Sequence, residues 1–264
     1  MSKKLDILYS VEANGADLAA RAADYIAEKA ATAATAHGRA RIAISGGSTP
    51  KATFALLGDA TQPWHANIPW DRLDLWWVDE RCVPPDDADS NYRMTREALL
   101  DHVPLQPEQI HRMRGELEPA EGASRYEAEL RSGFGIRAGE IPRFDLIQLG
   151  MGPDGHTASL FPHTLALHET HSLAVANNVP AKDAWRITLT LPVINRAADV
   201  FFLVSGQDKA QILKEVLLGP KDEERLPSQW IAPQNGILTF LLDRAAAALL
   251  PETGKGSMGT IARI

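Results

Sequence analysis

Short apolar runs recur along this chain, and nearly every one is followed at once by a polar cluster rich in glycine, serine or acid. The runs span Ile42 to Ile44, Leu73 to Val78, Phe144 to Leu149, Ile187 to Leu191 and Val200 to Val204, after a first strand-like segment at Leu5 to Tyr9. Each has the length and residue types of a buried strand. Helical spacing separates most of them. From Asp17 to Thr35, Leu18, Ala22, Tyr25 and Ile26 recur at helical intervals, and Gly38 marks the end. Shorter helical patterns lie at Pro50 to Leu57, Asn91 to Leu100, Ala123 to Leu130, Asp208 to Leu217 and Asp243 to Leu249. Strands alternating with helices predict an α/β fold, a doubly wound and largely parallel sheet with helices on both faces. In such a sheet the carboxyl ends of the strands share one edge, and ligands bind there.

The polar clusters should therefore meet at that edge. Ser45-Gly46-Gly47-Ser48-Thr49-Pro50 follows the run ending at Ile44. Its glycines bare backbone N–H groups, its hydroxyls add donors, and a helix opening near Pro50 adds the positive end of a dipole. That composition makes an anion cradle, although the same turn also serves as a plain helix cap. It has neither the Gly-Lys-Ser/Thr ending of a nucleotide P-loop nor the glycine spacing of a dinucleotide-binding turn. Lys209, in Ser205-Gly-Gln-Asp-Lys209, and Arg186 each lie near a strand end and can balance a phosphate, with Arg suited to bidentate contact.

Asp79-Glu80-Arg81 comes straight after Trp76, Trp77 and Val78. An ion pair at the sheet edge is the plain reading. The chemical reading is an acid that contacts sugar hydroxyls or poises a base, beside a guanidinium that stabilises developing negative charge. The third cluster is the most distinctive: Leu149-Gly-Met-Gly-Pro-Asp-Gly-His-Thr-Ala-Ser-Leu-Phe-Pro162 puts Asp154 and His156 on a glycine-rich turn after an apolar run. Gly150, Gly152 and Gly155 allow backbone turns and close approaches that a Cβ would obstruct. Asp79, Glu80, Asp154 and His156 show no His-Glu-x-x-His or paired-cysteine spacing, so no metal and no cofactor are expected. Ser45 and Ser159 both lie outside any Gly-x-Ser-x-Gly elbow, which argues against a serine nucleophile.

At 264 residues the chain is expected to form a single domain spanning 1–264. The formal charge of −7 argues against nucleic acid or an anionic membrane as a partner, while leaving room for a local cationic pocket. Cys82 is the single cysteine, so no intrachain disulfide can form; beside Arg81 it reads as a small buried residue rather than a lowered-pKa thiol. Neither a signal-peptide pattern nor a membrane-length apolar run is present, and a cytoplasmic protein is expected. Proline-bearing loops at residues 60 to 70, 83 to 90 and 219 to 236 are long enough to be lids, site walls or solvated surface.

With these motifs assembled, the chain resembles the 6-phosphogluconolactonase family almost end to end. The resemblance is carried by Ser45-Gly-Gly-Ser-Thr-Pro-Lys51, Asp79-Glu-Arg-Cys-Val-Pro84, Asp89-Ser-Asn-Tyr-Arg-Met94, the segment Leu149 to Pro162, Arg186-Ile-Thr-Leu-Thr190 and Lys209-Ala210. The sibling glucosamine-6-phosphate deaminase/isomerase family is similar at the glycine loop and at Asp-Gly-His. It carries a Glu five residues after the His, where this chain has Phe161, and Asp-Glu-Tyr where this chain has Asp79-Glu80-Arg81. Sugar-phosphate-sensing domains of bacterial regulators share the fold, but the strand at Leu5 is expected to leave no room for a DNA-binding module before it.

The resemblance implies a Rossmann-like fold and metal-independent hydrolysis of a sugar-phosphate lactone, a small-molecule partner, by a monomer or weak homodimer. It implies His156 as general base, a role the imidazole's ordinary titration range permits. Asp154 or Asp79 would orient the imidazole, and Arg81 would face the forming oxyanion. The phosphate would be held by Ser45, Gly46, Gly47, Ser48 and Thr49 with Arg186 and Lys209. An amino-sugar phosphate isomerase and a non-catalytic sugar-phosphate binder remain as alternatives.

Overall fold

The computed structural model describes residues 5–251 and 259–263. Along the chain run β1 (Leu5–Glu12), α1 (Gly15–His37), β2 (Ala40–Ile44), α2 (Ser48–Gly58), β3 (Leu73–Trp77), β4 (Asp79–Arg81) and α3 (Asn91–Ala98). There follow β5 (Ile110–His111), α4 (Pro119–Phe134), β6 (Leu146–Leu149), β7 (Ala174–Val179), β8 (Ala184–Leu189) and α5 (Leu191–Ile194). The last elements are β9 (Asp199–Val204), α6 (Ala210–Leu218), β10 (Ile237–Asp243) and β11 (Gly259–Arg263).

Helix α1 shows how local chemistry sets the boundaries. The Asn14 side chain accepts from the backbone N–H groups of Ala16 and Asp17 at 2.9 and 3.0 Å, which caps the first turn. Gly38 ends the helix at φ 81°, the left-handed position that glycine tolerates. Between them Leu18, Ala22, Tyr25 and Ile26 are buried, as their spacing predicts.

Among the described residues, eight strands form one sheet in the order β11-β1-β10-β9-β6-β2-β3-β5. Every pairing is parallel except that of β1 with β11 at the edge. This is the expected α/β architecture, with one contiguous apolar core running through it. Strands β2, β6 and β9 are immediate neighbours, so the clusters that follow them emerge side by side.

The sequence reading differs from the structure in two places. The run Ile187 to Leu191 is not a strand of the main sheet: β8 pairs antiparallel with β4 and β7 in a separate three-stranded sheet. The segment Asp243 to Leu249 is not a helix. Asp243 closes β10, and the residues after it form consecutive turns, so the alanine-rich composition yields to the pairing of Ile237–Asp243 between β1 and β9. In loop 219 to 236, which the sequence leaves open between lid, site wall and surface, Leu226 and Ser228 pack beneath the Gly155 turn.

Strand β3 outruns β5 at one end. Val78 donates to Ile44 on the β2 side, so the backbone groups of Trp77 face the other way, past the last β5 residue. Tyr126 of α4 takes both of them: its hydroxyl accepts from the Trp77 N–H at 3.0 Å and donates to the Trp77 carbonyl at 2.8 Å. Both residues are buried. Tyr126→Phe leaves an N–H and a C=O unpaired in the core and should cost roughly 2–4 kcal/mol. Urea unfolding of the two proteins checks this; a loss well under 1 kcal/mol, on the order of a solvated hydroxyl, would mean that water reaches the β3 end.

Candidate active site

The carboxyl ends of β2, β6 and β9 and the small sheet of β4 and β8 enclose a recess of about 390 Å³. It takes in the polar residues expected at the sheet edge. Ser45, Gly46, Gly47, Ser48 and Thr49 line one part of it, and Asp79, Arg81, His156, Arg186 and Lys209 are among the residues that line the rest. Asp154 stands behind the imidazole rather than on the wall.

The glycine loop folds as a helix start. Gly47, at φ 123°, is the N-cap of α2, and its carbonyl accepts from Lys51 at 3.1 Å, which directs the first-turn N–H groups outward. Gly46 is pressed against Asn91, whose Oδ1 would lie 1.8 Å from a Cβ placed there. Ser45 differs from its expected role: it is buried, and both its N–H and its hydroxyl donate to Gln148 Oε1, at 2.9 and 3.1 Å. It braces the loop against β6, leaving Ser48 and Thr49 as the hydroxyls nearer the opening.

The β4 strand is held from within. Glu80 is buried and accepts from the N–H groups of Arg81, Asn91 and Tyr92 at 2.7, 2.8 and 2.8 Å, and from the Ser90 hydroxyl at 3.1 Å. Burial pushes its carboxyl up from the ordinary range even though those donors oppose the shift. Asp79 accepts from Ser159 Oγ at 2.7 Å, and Asn91 Nδ2 donates to its carbonyl at 2.9 Å. Arg81 donates to the Asp89 carbonyl and lies directly across the strand pair from Arg186. Burial, then the neighbouring Arg81 charge, push the Arg186 guanidinium below its ordinary value. The two cations converge without a carboxylate ion pair for either among the described residues. Cys82 next door has its thiol pushed up to about 11 by burial, which fits a small packing residue.

On the β6 side the turn is stitched into one rigid piece. Gly152 donates to the His156 carbonyl at 2.9 Å, and Thr157 Oγ1 donates to the Gly150 carbonyl at 2.8 Å. Gly155 adopts φ 79°, and its carbonyl accepts from the Ser228 N–H and hydroxyl at 2.9 and 2.8 Å. His156 Nδ1 lies 2.5 Å from Asp154 Oδ1. Between Asp154 and Asp79 as partners of the imidazole, the geometry selects Asp154; Asp79 is engaged by Ser159. Burial would raise the Asp154 carboxyl, but its hydrogen bonds and the His156 charge outweigh that, and it lies below its ordinary value.

Lys209 is set by β10. Asp243 accepts from Ser205 Oγ and, at 3.1 Å, from the Gly206 N–H, which shapes the turn that leads to Lys209. Lys209 pairs with Asp208 at 3.2 Å. Asn91, Phe161 and Lys182 also line the recess and were not singled out as site residues by the sequence reading. Asn91 was legible in part, since it opens the Asn-Tyr-Arg-Met segment of the family resemblance; Lys182 belongs to no motif. Among the described residues no three His, Cys, Asp or Glu side chains cluster as a metal site requires. No helix among them is long and apolar enough to cross a membrane.

Fold and recess together define the class: an open, largely parallel α/β protein with a cation-bearing polar recess at the carboxyl edge of its sheet. Residues 13–240 match the model of the glucosamine-6-phosphate isomerases/6-phosphogluconolactonase family. The 6-phosphogluconolactonase of Nostoc sp. is 42% identical over 95% of this chain and 99% of its own length. That of Haemophilus influenzae is 41% identical over 88% of this chain and 97% of its own. The solved structure of 6-phosphogluconolactonase from Trypanosoma cruzi superposes with a TM-score of 0.81 at 31% identity, covering 96% of this chain and 99% of that one. The chain belongs to the glucosamine-6-phosphate isomerase/6-phosphogluconolactonase family.

The Asp154 shift has a readable consequence. A carboxyl held below its ordinary value of 3.8 stabilises the fold above that pH and loses the contribution as pH falls through the lowered value. In His156→Ala the downward influences of the imidazole vanish and burial remains. Carboxyl-carbon NMR should then show Asp154 titrating at higher pH than in the wild type; an unchanged titration would mean the pair is not formed in solution.

Proposed function

We propose that this protein hydrolyses 6-phospho-D-glucono-1,5-lactone to 6-phospho-D-gluconate, the lactone-opening step of the oxidative pentose phosphate pathway. The observation that carries the mechanism is the imidazole of His156, backed by Asp154 at Nδ1 and set in the wall of a cationic recess. The family membership and the 6-phosphogluconolactonases among its relatives support the substrate. Its charge of −7 and single cysteine fit work in the cytoplasm on a diffusing small molecule, as a monomer or weak homodimer.

A δ-lactone is an activated ester, so the site must supply a base for water, charge for the carbonyl oxygen and a proton for the leaving ring oxygen. With Nδ1 donating to Asp154, Nε2 of His156 is the nitrogen left to take a proton from water. The hydroxide equivalent uses its electron pair to bond to the carbonyl carbon, and the π pair of the C=O bond moves onto the carbonyl oxygen. Arg81 faces that oxyanion. Collapse breaks the bond to the ring oxygen, which takes the proton back from the imidazolium while Asp154 balances the transient charge.

The α2 N-terminus with Ser48 and Thr49, together with Arg186 and Lys209, grips the phosphate and fixes the carbonyl near His156. Ser45 acts through its backbone and through Gln148 as the brace of that loop. Phe161 stands where the sibling family carries an acid, which weighs against isomerase chemistry.

The test is release of 6-phosphogluconate from freshly generated lactone, corrected for spontaneous opening. His156→Ala should lower kcat by about 10²–10⁴-fold. Lys209→Ala should chiefly raise KM, by roughly tenfold or more, as loss of one charged contact does. A wild-type rate equal to the blank would discard the lactonase reading. Full turnover by His156→Ala would keep the reading and move the base elsewhere.

A further inference from the structure

We infer that Phe161 is a positioning residue that holds the His156 imidazole in a single plane, an inference that rests on the general-base role proposed for His156. A hydrogen bond from Nδ1 to Asp154 fixes one atom of the ring and leaves the ring free to rock about it. The second constraint is a stack: the Phe161 and His156 ring centroids lie 4.0 Å apart with 22° between planes. Gly152 supplies a third. A Cβ there would lie 2.1 Å from both Cε1 and Nδ1 of the imidazole, so the glycine backbone abuts the ring where any side chain would displace it. Acid at Nδ1, aromatic face on one side and bare backbone against the ring together leave Nε2 as the free functional atom.

Phe161 can do this because its own place is over-determined. It is 5% exposed, and its carbonyl accepts from Thr164 Oγ1 at 2.8 Å. Thr164 Oγ1 in turn accepts from Asn177 Nδ2 at 3.0 Å, and the same Nδ2 donates to the Ser159 carbonyl at 2.9 Å. Strand β7 thereby pins the segment on which Phe161 sits, and the stack transmits that rigidity to the imidazole. The antiparallel sheet thus sets the orientation of a base carried by the parallel one.

The experiment compares wild type, Phe161→Leu, Phe161→Tyr and His156→Ala. Leu fills the space without offering a flat face; Tyr restores the face. Phe161→Leu should lower kcat roughly ten- to a hundredfold with KM little changed, the signature of a misaligned base. Phe161→Tyr should recover most of kcat. ¹⁵N NMR should show one His156 ring state in wild type, with the proton on Nδ1 when neutral, and several in Phe161→Leu.

Wild-type kcat in Phe161→Leu, a rise in KM alone, or failure of Tyr to rescue would overturn the inference. So would more than one ring state in the wild type, a measurement that stands even if a variant fails to fold. Full turnover by His156→Ala would instead sink the base role, while the NMR separately reports whether Phe161 holds the ring.

Discussion

Three neighbouring parallel strands, β2, β6 and β9, end at the same edge of the sheet, and their ladders fix how their following loops can meet. Past the last ladder bond the backbone groups of each strand have no strand partner, so each loop must find its own. The β2 loop finds Gln148 through Ser45, the β6 loop closes on itself and on Ser228, and the β9 loop is caught by Asp243. Each loop is thus held by hydrogen bonds to a neighbouring element, to itself or to both, at the place where rigidity counts for chemistry. The recess exists because of this common edge, and its contents are set by which loop partners are polar.

The small antiparallel sheet completes what the parallel one cannot. A parallel edge offers glycines, hydroxyls and the turn carrying His156, but its loops bring one cation, Lys209. Strands β4 and β8 add Arg81 and Arg186 from the opposite side. Glu80 secures this sheet to α3 by accepting from consecutive backbone N–H groups, and Asn91 at the start of α3 packs on Gly46. The anion loop and the arginines are therefore parts of one interlocked unit, although the loop follows a strand of one sheet and Arg186 lies on the other.

The alternation of strands and helices, the convergence of clusters and most of the residues that line the recess were legible in the sequence, because they depend on local periodicity and on what directly follows a buried run. What escaped it depends on partners far along the chain. Ile187 to Leu191 carries the apolar signature of a main-sheet strand, and only its pairing with β4 and β7 assigns it elsewhere. Ala245 to Ala248 favours a helix by propensity, yet the β10 pairing takes in the chain up to Leu242 and Asp243, and the alanines that follow form consecutive turns. Ser45 belongs by type to an anion cradle, and only the burial of Gln148 beside it turns its hydroxyl inward. The choice between Asp154 and Asp79 could not be made by spacing alone, since Ser159, which engages Asp79, is eighty residues away by chain count.

Arg81 and Arg186 face each other across β4 and β8, in the register where opposite charges would strengthen a strand pair and like charges weaken it. Among the described residues neither guanidinium has a carboxylate ion pair to offset that repulsion. An anion in the recess would thus act as a missing piece of the small sheet, relieving a repulsion that the empty protein carries. By mutual linkage, the sheet would be firmest when occupied and loosest when vacant. A substitution that neutralised either arginine would make the empty protein more comfortable and the occupied one poorer, so robustness at rest and grip on substrate pull this strand pair in opposite directions.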